Sequence, residues 1–336
     1  MLQAALASLA LASASGSTAG AVVDSISISG AEDFGRGALL DGSGLRIGAS
    51  LMEITPSEVR SAILSNLTSE GYIEATVEVQ WPEWYEETGI VRIEVSEGRR
   101  SLLGPLVFTG NSVMSARDLL AAVGFTSGVT LTPGVIDDLR SSLLELYSKH
   151  GYVLASVETS LLPFDPASPD SLPAYRGVEC DISEGRQIRL GSVEVLGLET
   201  VRRTVVTREI LLSEGDSLDM EMMRRSISAI YDLGLFSDVR FVYDGLTEGR
   251  DSVDLRVQVT ERPYRQLDLG AGYASPSALI LSAYLMHPNI MGNNQSLTIG
   301  SGWTRYFEED GGDIVEPELL YEEPYIASTR WKGRWR

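Results

Sequence analysis

Apolar residues recur with two different periods in the third quarter of the chain, and segments with the two periods follow one another in a regular order. Residues 191–197 form one short strand-like run, and residues 202–212 and 218–233 carry apolar positions at the spacing of amphipathic helices. The segments 238–243 and 252–260 alternate apolar and polar positions, which is the period of a strand. The pattern therefore predicts the element order β-α-α-β-β.

The same order is visible twice upstream. Thr132 and Pro133 start a predicted helix with an apolar stripe at Val135, Leu139, Leu143 and Tyr147. The segment Thr55-Pro56-Ser57-Glu58 is a capping box, which predicts a helix that carries Val59, Ile63 and Leu67 on one side. Between Gly30 and Met52 the chain is rich in glycine, and no first helix is predicted there.

An internal repeat supports this division. Residues 96–110 and 183–197 share seven identities in fifteen aligned positions without a gap, beginning with Ser-Glu-Gly-Arg in both copies. Gly71-Tyr72 recurs as Gly151-Tyr152, and Gly234-Leu235-Phe236 is a looser third copy. We therefore predict an α+β fold of three tandem β-α-α-β-β modules, named here the first (22–100), second (101–187) and third (188–263) modules.

After Pro263 the pattern becomes that of a sheet alone. Four strands are predicted at 264–274, 278–286, 295–303 and 326–335, with turns at Ser275-Pro276-Ser277 and Gly292-Asn293-Asn294. One face of these strands is apolar, and the other is polar or glycine. Strands of this length and pattern occur in membrane β-barrels, and a soluble antiparallel sheet alternates in the same way.

Composition narrows the possible chemistry. The chain has 27 basic and 47 acidic residues and a formal net charge of −20, which argues against nucleic-acid binding. One cysteine and two histidines leave no disulfide framework and no multi-cysteine metal site. We predict neither an enzyme nor a cofactor.

The few reactive side chains have structural interpretations. Cys180 shares the strand parity of Val178, which predicts a core position, and His150 is predicted at a helix end. The acidic groups Glu86-Glu87 and Glu308-Glu309-Asp310 are expected in solvated loops, and Gly270-Ala271-Gly272 opens no helix. The cluster of Trp81, Trp84 and Tyr85 has two interpretations, which are packing against the first module and docking of a partner.

The tandem order and its motifs resemble the polypeptide-transport-associated (POTRA) domain. The matching features are the strand-plus-glycine openings ending at Gly110 and Gly197, the Gly-Tyr or Gly-Leu-Phe before the second strand, and the closing Ser-Glu-Gly. The segment 264–336 resembles the opening strands of the BamA/TamA-type outer-membrane β-barrel assembly family, through Leu269-Gly270-Ala271-Gly272-Tyr273 and Glu323-Pro324-Tyr325. The resemblance implies that the chain inserts β-barrel proteins into the bacterial outer membrane, with its modules in the periplasm.

The resemblance also implies where substrates bind. In the POTRA family the second strand offers an edge to an extended chain, which here gives the candidates Glu74, Val77, Val79, Leu154, Ser156, Glu158, Val239, Phe241 and Tyr243. The first barrel strand, with Leu267, Leu269, Ala271 and Tyr273, would template incoming hairpins. The implied partners are unfolded outer-membrane proteins and outer-membrane lipid, together with periplasmic chaperones and accessory lipoproteins or an inner-membrane partner.

The two ends of the sequence carry their own expectations. Residues 1–21 have the short apolar run and small residues of a signal peptide, without the usual basic start. Residues 264–336 hold only four or five strands, and a barrel needs at least about eight, which predicts the truncated N-terminal part of a barrel. The alternatives are a two-partner secretion pore, which exports a polypeptide, and a soluble periplasmic protein-binding module.

Overall fold

The computed structural model describes residues 22–31, 34–82, 89–124, 127–163, 174–263, 265–274, 278–307, 311–326 and 333–335. The predicted signal peptide, the loop with Trp84, Tyr85 and Glu86-Glu87, the turn at 275–277 and the acidic group at 308–310 lie outside these residues. The chain forms two compact units, the first with residues up to Thr109, 116–141 and 158–181, the second with 110–115, 142–157 and 182–336.

The first module is a three-stranded sheet covered by helices. Its elements are β1 (Ser25–Ser29), α1 (Arg36–Leu40), α2 (Pro56–Ser69), β2 (Thr76–Gln80) and β3 (Ile90–Ser96). The strand order is β1-β3-β2, with β1 parallel and β2 antiparallel to β3. The core is built from the predicted helix stripe and the alternate residues of β3, namely Val59, Ile63, Leu67, Val91, Ile93 and Val95. Trp81 also packs against this core.

Two features of the first module can be compared directly with the predictions from the sequence. The capping box is present, because the Glu58 N–H donates to Thr55 Oγ1 at 3.3 Å and the Thr55 N–H donates to Glu58 Oε2 at 2.8 Å. The prediction that there is no first helix is wrong, because α1 spans five residues. The side chain of Asn66 on α2 donates to the carbonyls of Leu39 and Asp41, and Leu39 is fully buried. This short helix is therefore held by tertiary contacts.

The second module repeats the architecture. It contains β4 (Ser101–Thr109), α3 (Ala116–Val123), α4 (Pro133–Lys149), β5 (Ser156–Leu161) and β6 (Ala174–Ser183), with the strand order β4-β6-β5. Leu139, Leu143 and Tyr147 are fully buried, as the stripe predicted. Cys180 is also fully buried, and burial raises the pKa of its thiol to about 11. The Nδ1 atom of His150 lies 2.9 Å from the Leu146 carbonyl at the end of α4.

The third module has shorter helices than the sequence indicates. Its elements are β7 (Arg189–Leu196), α5 (Arg203–Thr207), α6 (Met220–Asp232), β8 (Phe236–Asp244) and β9 (Ser252–Glu261), in the strand order β7-β9-β8. The predicted helix 202–212 is wrong beyond Thr207. There the Leu211 N–H donates to Ser226 Oγ at 2.9 Å, a tertiary partner that replaces the helical one. Tyr231, at the end of α6, is 41% exposed.

The remaining described strands form one antiparallel sheet in chain order. They are β10 (Gln266–Ala274), β11 (Ala278–Ile290), β12 (Gln295–Tyr306), β13 (Asp313–Glu323) and β14 (Gly333–Trp335). β13 was not predicted, because Pro317 and five acidic residues interrupt its alternation. The predicted last strand at 326–335 is described only as β14. Along the described ranges no helix is both long and apolar enough to cross a membrane. The predicted α+β class, with β-α-α-β-β modules before an antiparallel sheet, is confirmed.

Candidate functional site

The second strand of each module lies at an outer edge of its sheet. Among the described strands, β2, β5 and β8 each have one neighbour, which is the last strand of the same module. The other edge is partly covered where the first strand begins. In the second module the Leu103 N–H donates to Val129 O at 2.7 Å, and in the third the Leu190 N–H donates to Asp216 O at 2.9 Å. The second strand therefore presents the more open edge for pairing with another chain.

The candidate edge residues differ in where their side chains lie. Glu74 and Leu154 precede β2 and β5, and the remaining candidates lie within the three strands. Leu154, Ser156 and Glu158 are exposed, whereas Val77 and Val239 are buried in the cores of their modules. Burial raises the pKa of Tyr243 to about 12. Core-facing residues can serve a partner only through their backbone groups, as strand addition requires.

A buried glutamate at the end of the second module organises the loop before its first helix. Glu184 accepts hydrogen bonds from the backbone N–H groups of Ser112 at 3.0 Å and Val113 at 2.9 Å, and from the Tyr147 hydroxyl at 2.9 Å. Burial alone would raise the pKa of Glu184, but the hydrogen bonds from Ser112, Val113 and Tyr147 outweigh it and lower the pKa to about 2.

The third module uses the same arrangement. Glu261 accepts hydrogen bonds from the backbone N–H groups of Glu199 at 2.8 Å, Thr200 at 3.0 Å and Val201 at 2.8 Å. Burial opposes these bonds, yet they hold the pKa of Glu261 below its usual value. Glu184 lies in the repeated closing Ser-Glu-Gly, and Glu261 has the corresponding place in Thr260-Glu261-Arg262. The repeat therefore pointed to Glu184 without showing what it binds.

The five-stranded sheet exposes an apolar face. Leu267, Leu285, Ile299 and Leu319 are register partners across β10 to β13, and their side chains are 62%, 52%, 51% and 58% exposed. The candidates Leu267, Leu269, Ala271 and Tyr273 all lie on this face of β10. The residues between them are Asp268, Gly270 and Gly272, which pair with Tyr284, Ser282 and Ile280. An exposed apolar surface of this extent is typical of contact with lipid or another protein.

Two turns of this sheet contact the third module just before and after α5. The Arg202 N–H donates to Gly292 O at 2.9 Å in the turn between β11 and β12. After β13, the guanidinium of Arg208 lies 3.7 Å from the ring centroid of Tyr325, whose hydroxyl donates to the buried Glu209 carboxylate. We call the set Arg202, Arg208, Glu209, Gly292 and Tyr325 the junction cluster. The sequence offered no signal for it, because its members are up to 123 residues apart by number.

No metal site accompanies these features: along the described parts of the chain, no three His, Cys, Asp or Glu side chains are grouped to hold an ion.

Comparisons with known proteins agree with this architecture. The POTRA family, described as a surface antigen variable number repeat, matches residues 103–185 and 188–262. The outer membrane protein assembly factor BamA of Neisseria meningitidis serogroup B is 27% identical over 242 residues, which are 71% of this chain and 28% of the relative. BamA of Neorickettsia risticii is 23% identical over 248 residues, 71% of this chain and 32% of the relative.

One solved structure supports the fold. The crystal structure of BamA from Haemophilus ducreyi lacking POTRA domains 1–3 superposes with a TM-score of 0.57 at 18% identity, covering 69% of this chain and 41% of that one. The second and third modules thus match the POTRA family. The chain is similar to BamA-type outer membrane protein assembly factors, and it spans less than a third of the length of the two curated relatives described above.

Proposed function

We propose that this protein takes part in inserting β-barrel proteins into the bacterial outer membrane. Its modules would lie in the periplasm and its apolar sheet in the lipid. The observation that carries the proposal is the repeated placement of the second strand at a sheet edge, in a chain that also has a sheet with an exposed apolar face. The names of the two relatives, both outer membrane protein assembly factors, support it.

The modules would receive unfolded substrate by strand addition. An unfolded outer-membrane protein consists largely of segments that alternate apolar and polar residues, and such a segment can extend a sheet by backbone hydrogen bonds. The buried side chains of β2, such as Val77, anchor the strand to its core while its outer backbone groups stay available. The contact is independent of substrate side chains, so many substrates can share it.

The five-stranded sheet would supply the membrane-embedded part. The row Leu267, Leu285, Ile299 and Leu319 would face the acyl chains, and the opposite face would line the interior. β10 has one neighbour among the described strands, so its outer edge could accept an incoming hairpin. Unpaired backbone groups are costly in lipid, which favours pairing of a substrate strand with this edge.

The proposed partners are therefore unfolded outer-membrane proteins and outer-membrane lipid. The net charge of −20 would keep the periplasmic modules soluble and repel anionic surfaces. Every step uses backbone pairing and apolar contact, so the proposal requires no catalytic side chain and no cofactor. Periplasmic chaperones, accessory lipoproteins and an inner-membrane partner stay predictions from the resemblance.

The test is hydrogen exchange of the full chain in detergent micelles, with and without a ten-residue peptide of alternating apolar and polar residues. We expect slower exchange of segments in β2 and β5 when the peptide binds. Thr159→Pro would remove an outward N–H from β5 and abolish protection there, because proline is tolerated at a sheet edge but cannot donate. Thr159→Val, which keeps the N–H, is the matched control. Exchange that is unchanged at both edges would overturn the proposal.

A further inference from the structure

The open edge of the third module carries a hydrogen bond from another element. The Val239 N–H on β8 donates to the Tyr231 hydroxyl at 3.0 Å. Tyr231 lies on α6, and its ring is 41% exposed. A tyrosine hydroxyl therefore occupies a backbone donor of the strand that would receive substrate.

The position of this donor follows from strand geometry. Successive residues of an edge strand point their backbone groups alternately to the neighbour and to the outside. Because the Val239 N–H is donated to a helix and not to β9, the outward groups of β8 belong to Val239, Phe241 and Tyr243. Tyr231 therefore binds the first of three outward positions. The register of β8 also shifts between Phe236 and Asp238, and such a bulge further disturbs pairing at the start of the strand.

At the equivalent position of the second helix, the first and second modules carry shorter side chains. Three residues before the glycine that follows the second helix stands Thr68 in the first module, Ser148 in the second and Tyr231 in the third. The Thr68 hydroxyl donates back to the Leu64 carbonyl of its own helix at 2.8 Å. Serine and threonine side chains are too short to extend from the helix to the neighbouring strand, whereas a phenol places its oxygen beyond the ring.

We propose that Tyr231 selects among the three edges, so that an extended segment pairs with β2 and β5 and reaches β8 only after the Tyr231 hydroxyl leaves Val239. This inference rests on the proposed strand addition and specifies where it occurs. A free donor at Val239 is required for the first hydrogen bond of a continuous ladder. The third module contacts the five-stranded sheet through the junction cluster. Because the Tyr231 hydroxyl occupies the Val239 N–H, this module would hold substrate less firmly than the first and second modules.

Tyr231→Phe tests the inference, because it removes the hydroxyl and keeps the ring. We expect the full-length variant in detergent micelles to show faster amide exchange at the start of β8 without peptide. When the alternating ten-residue peptide is added, we expect amide exchange in β8 to slow by a factor three to ten times larger than in the unchanged chain. Tyr175→Phe, which removes an exposed hydroxyl from β6, is the matched control and should leave β8 unchanged.

Ser148→Tyr is the reciprocal variant, and it should weaken peptide protection of β5. Protection of β5 in the unchanged chain, together with no change at β8 in Tyr231→Phe, would overturn this inference and leave strand addition intact. Absence of peptide protection at every edge in all variants would overturn both proposals.

Discussion

The Tyr147 hydroxyl donates a 2.9 Å hydrogen bond to the Glu184 carboxylate and so joins the end of α4 to the residue that follows β6. The same carboxylate accepts the N–H groups of Ser112 and Val113. One buried anion therefore connects a helix, a strand end and a loop. Burial and the hydrogen bond to Glu184 raise the pKa of Tyr147 well above its usual value, so the phenol stays protonated and continues to donate.

Glu184→Gln should destabilise the second module by about 1–3 kcal/mol, because four donors, the N–H and hydroxyl of Ser112, the Val113 N–H and the Tyr147 hydroxyl, lose a charged acceptor in a buried position. The measurement is urea denaturation at pH 7. Glu145→Gln is the matched control, because Glu145 forms an exposed pair with Lys149 at 2.7 Å that contributes little. Equal midpoints for the two variants would contradict the role given to Glu184.

Glu184 should make the folded second module less stable as the pH falls. The pKa of Glu184 is lowered from 4.5 to about 2 in the folded chain. The unfolded state therefore binds the proton more readily, and the stabilisation from Glu184 is complete above about pH 4.5. It is lost as the pH falls from 4.5 towards 2. We expect the stability of Glu184→Gln to fall less steeply across this interval, and parallel curves for both proteins would count against the lowered pKa.

Gly197→Ala should be more damaging than Gly215→Ala. Both glycines have left-handed backbones, with φ of +88° and +92°, so both substitutions carry strain of about 1–2 kcal/mol. A Cβ at Gly197 would also lie 2.0 Å from the Val259 carbonyl oxygen, whereas Gly215 faces open space. We expect urea denaturation to show that Gly197→Ala lowers the free energy of unfolding by about 2 kcal/mol more than Gly215→Ala. Similar losses would show that the close approach to β9 does not matter.

Leu281→Arg and Ser282→Arg test which face of the sheet meets lipid. Leu281 pairs with Trp303 on the apolar face, and Ser282 pairs with Gly302 on the opposite face. A charge on a lipid face costs about 2–4 kcal/mol near the bilayer centre. We expect Leu281→Arg to reduce flotation of the chain with phospholipid vesicles several-fold, and Ser282→Arg to leave flotation nearly unchanged. Equal flotation of the two variants would favour the soluble-sheet interpretation.

The junction cluster should show energetic coupling between Arg208 and Tyr325. Their stacking distance of 3.7 Å predicts a cation–π coupling of about 0.5–2 kcal/mol. A double-mutant cycle with Arg208→Met and Tyr325→Leu would measure it through local amide exchange of α5. Arg203→Met is the control, because the Arg203 guanidinium donates to the Val193 carbonyl and not to Tyr325. Additive effects of the Arg208 and Tyr325 substitutions would contradict the predicted coupling.

The sequence predicted the elements whose pattern is local. The Thr55–Glu58 capping box and the Leu139–Leu143–Tyr147 stripe depend on residues three or four positions apart, and both are present in the structure. The predictions failed where distant residues decide. α1 exists because Asn66 binds the carbonyls at its end, and the predicted helix 202–212 ends early because Ser226 takes the Leu211 N–H.

The candidate functional site was likewise predictable only in part from the sequence. Repeats and alternation were enough to find the second strands and the apolar face, since those properties follow from the two-residue period of a strand. Which backbone groups remain free depends on neighbours that are remote in sequence. The Tyr231 hydroxyl on Val239, the Glu184 carboxylate under the loop at Ser112 and the stacking of Arg208 on Tyr325 all require side chains to meet after folding. The amino-acid sequence by itself thus determined the modules and the faces of their strands, and tertiary packing alone decided which edges are open.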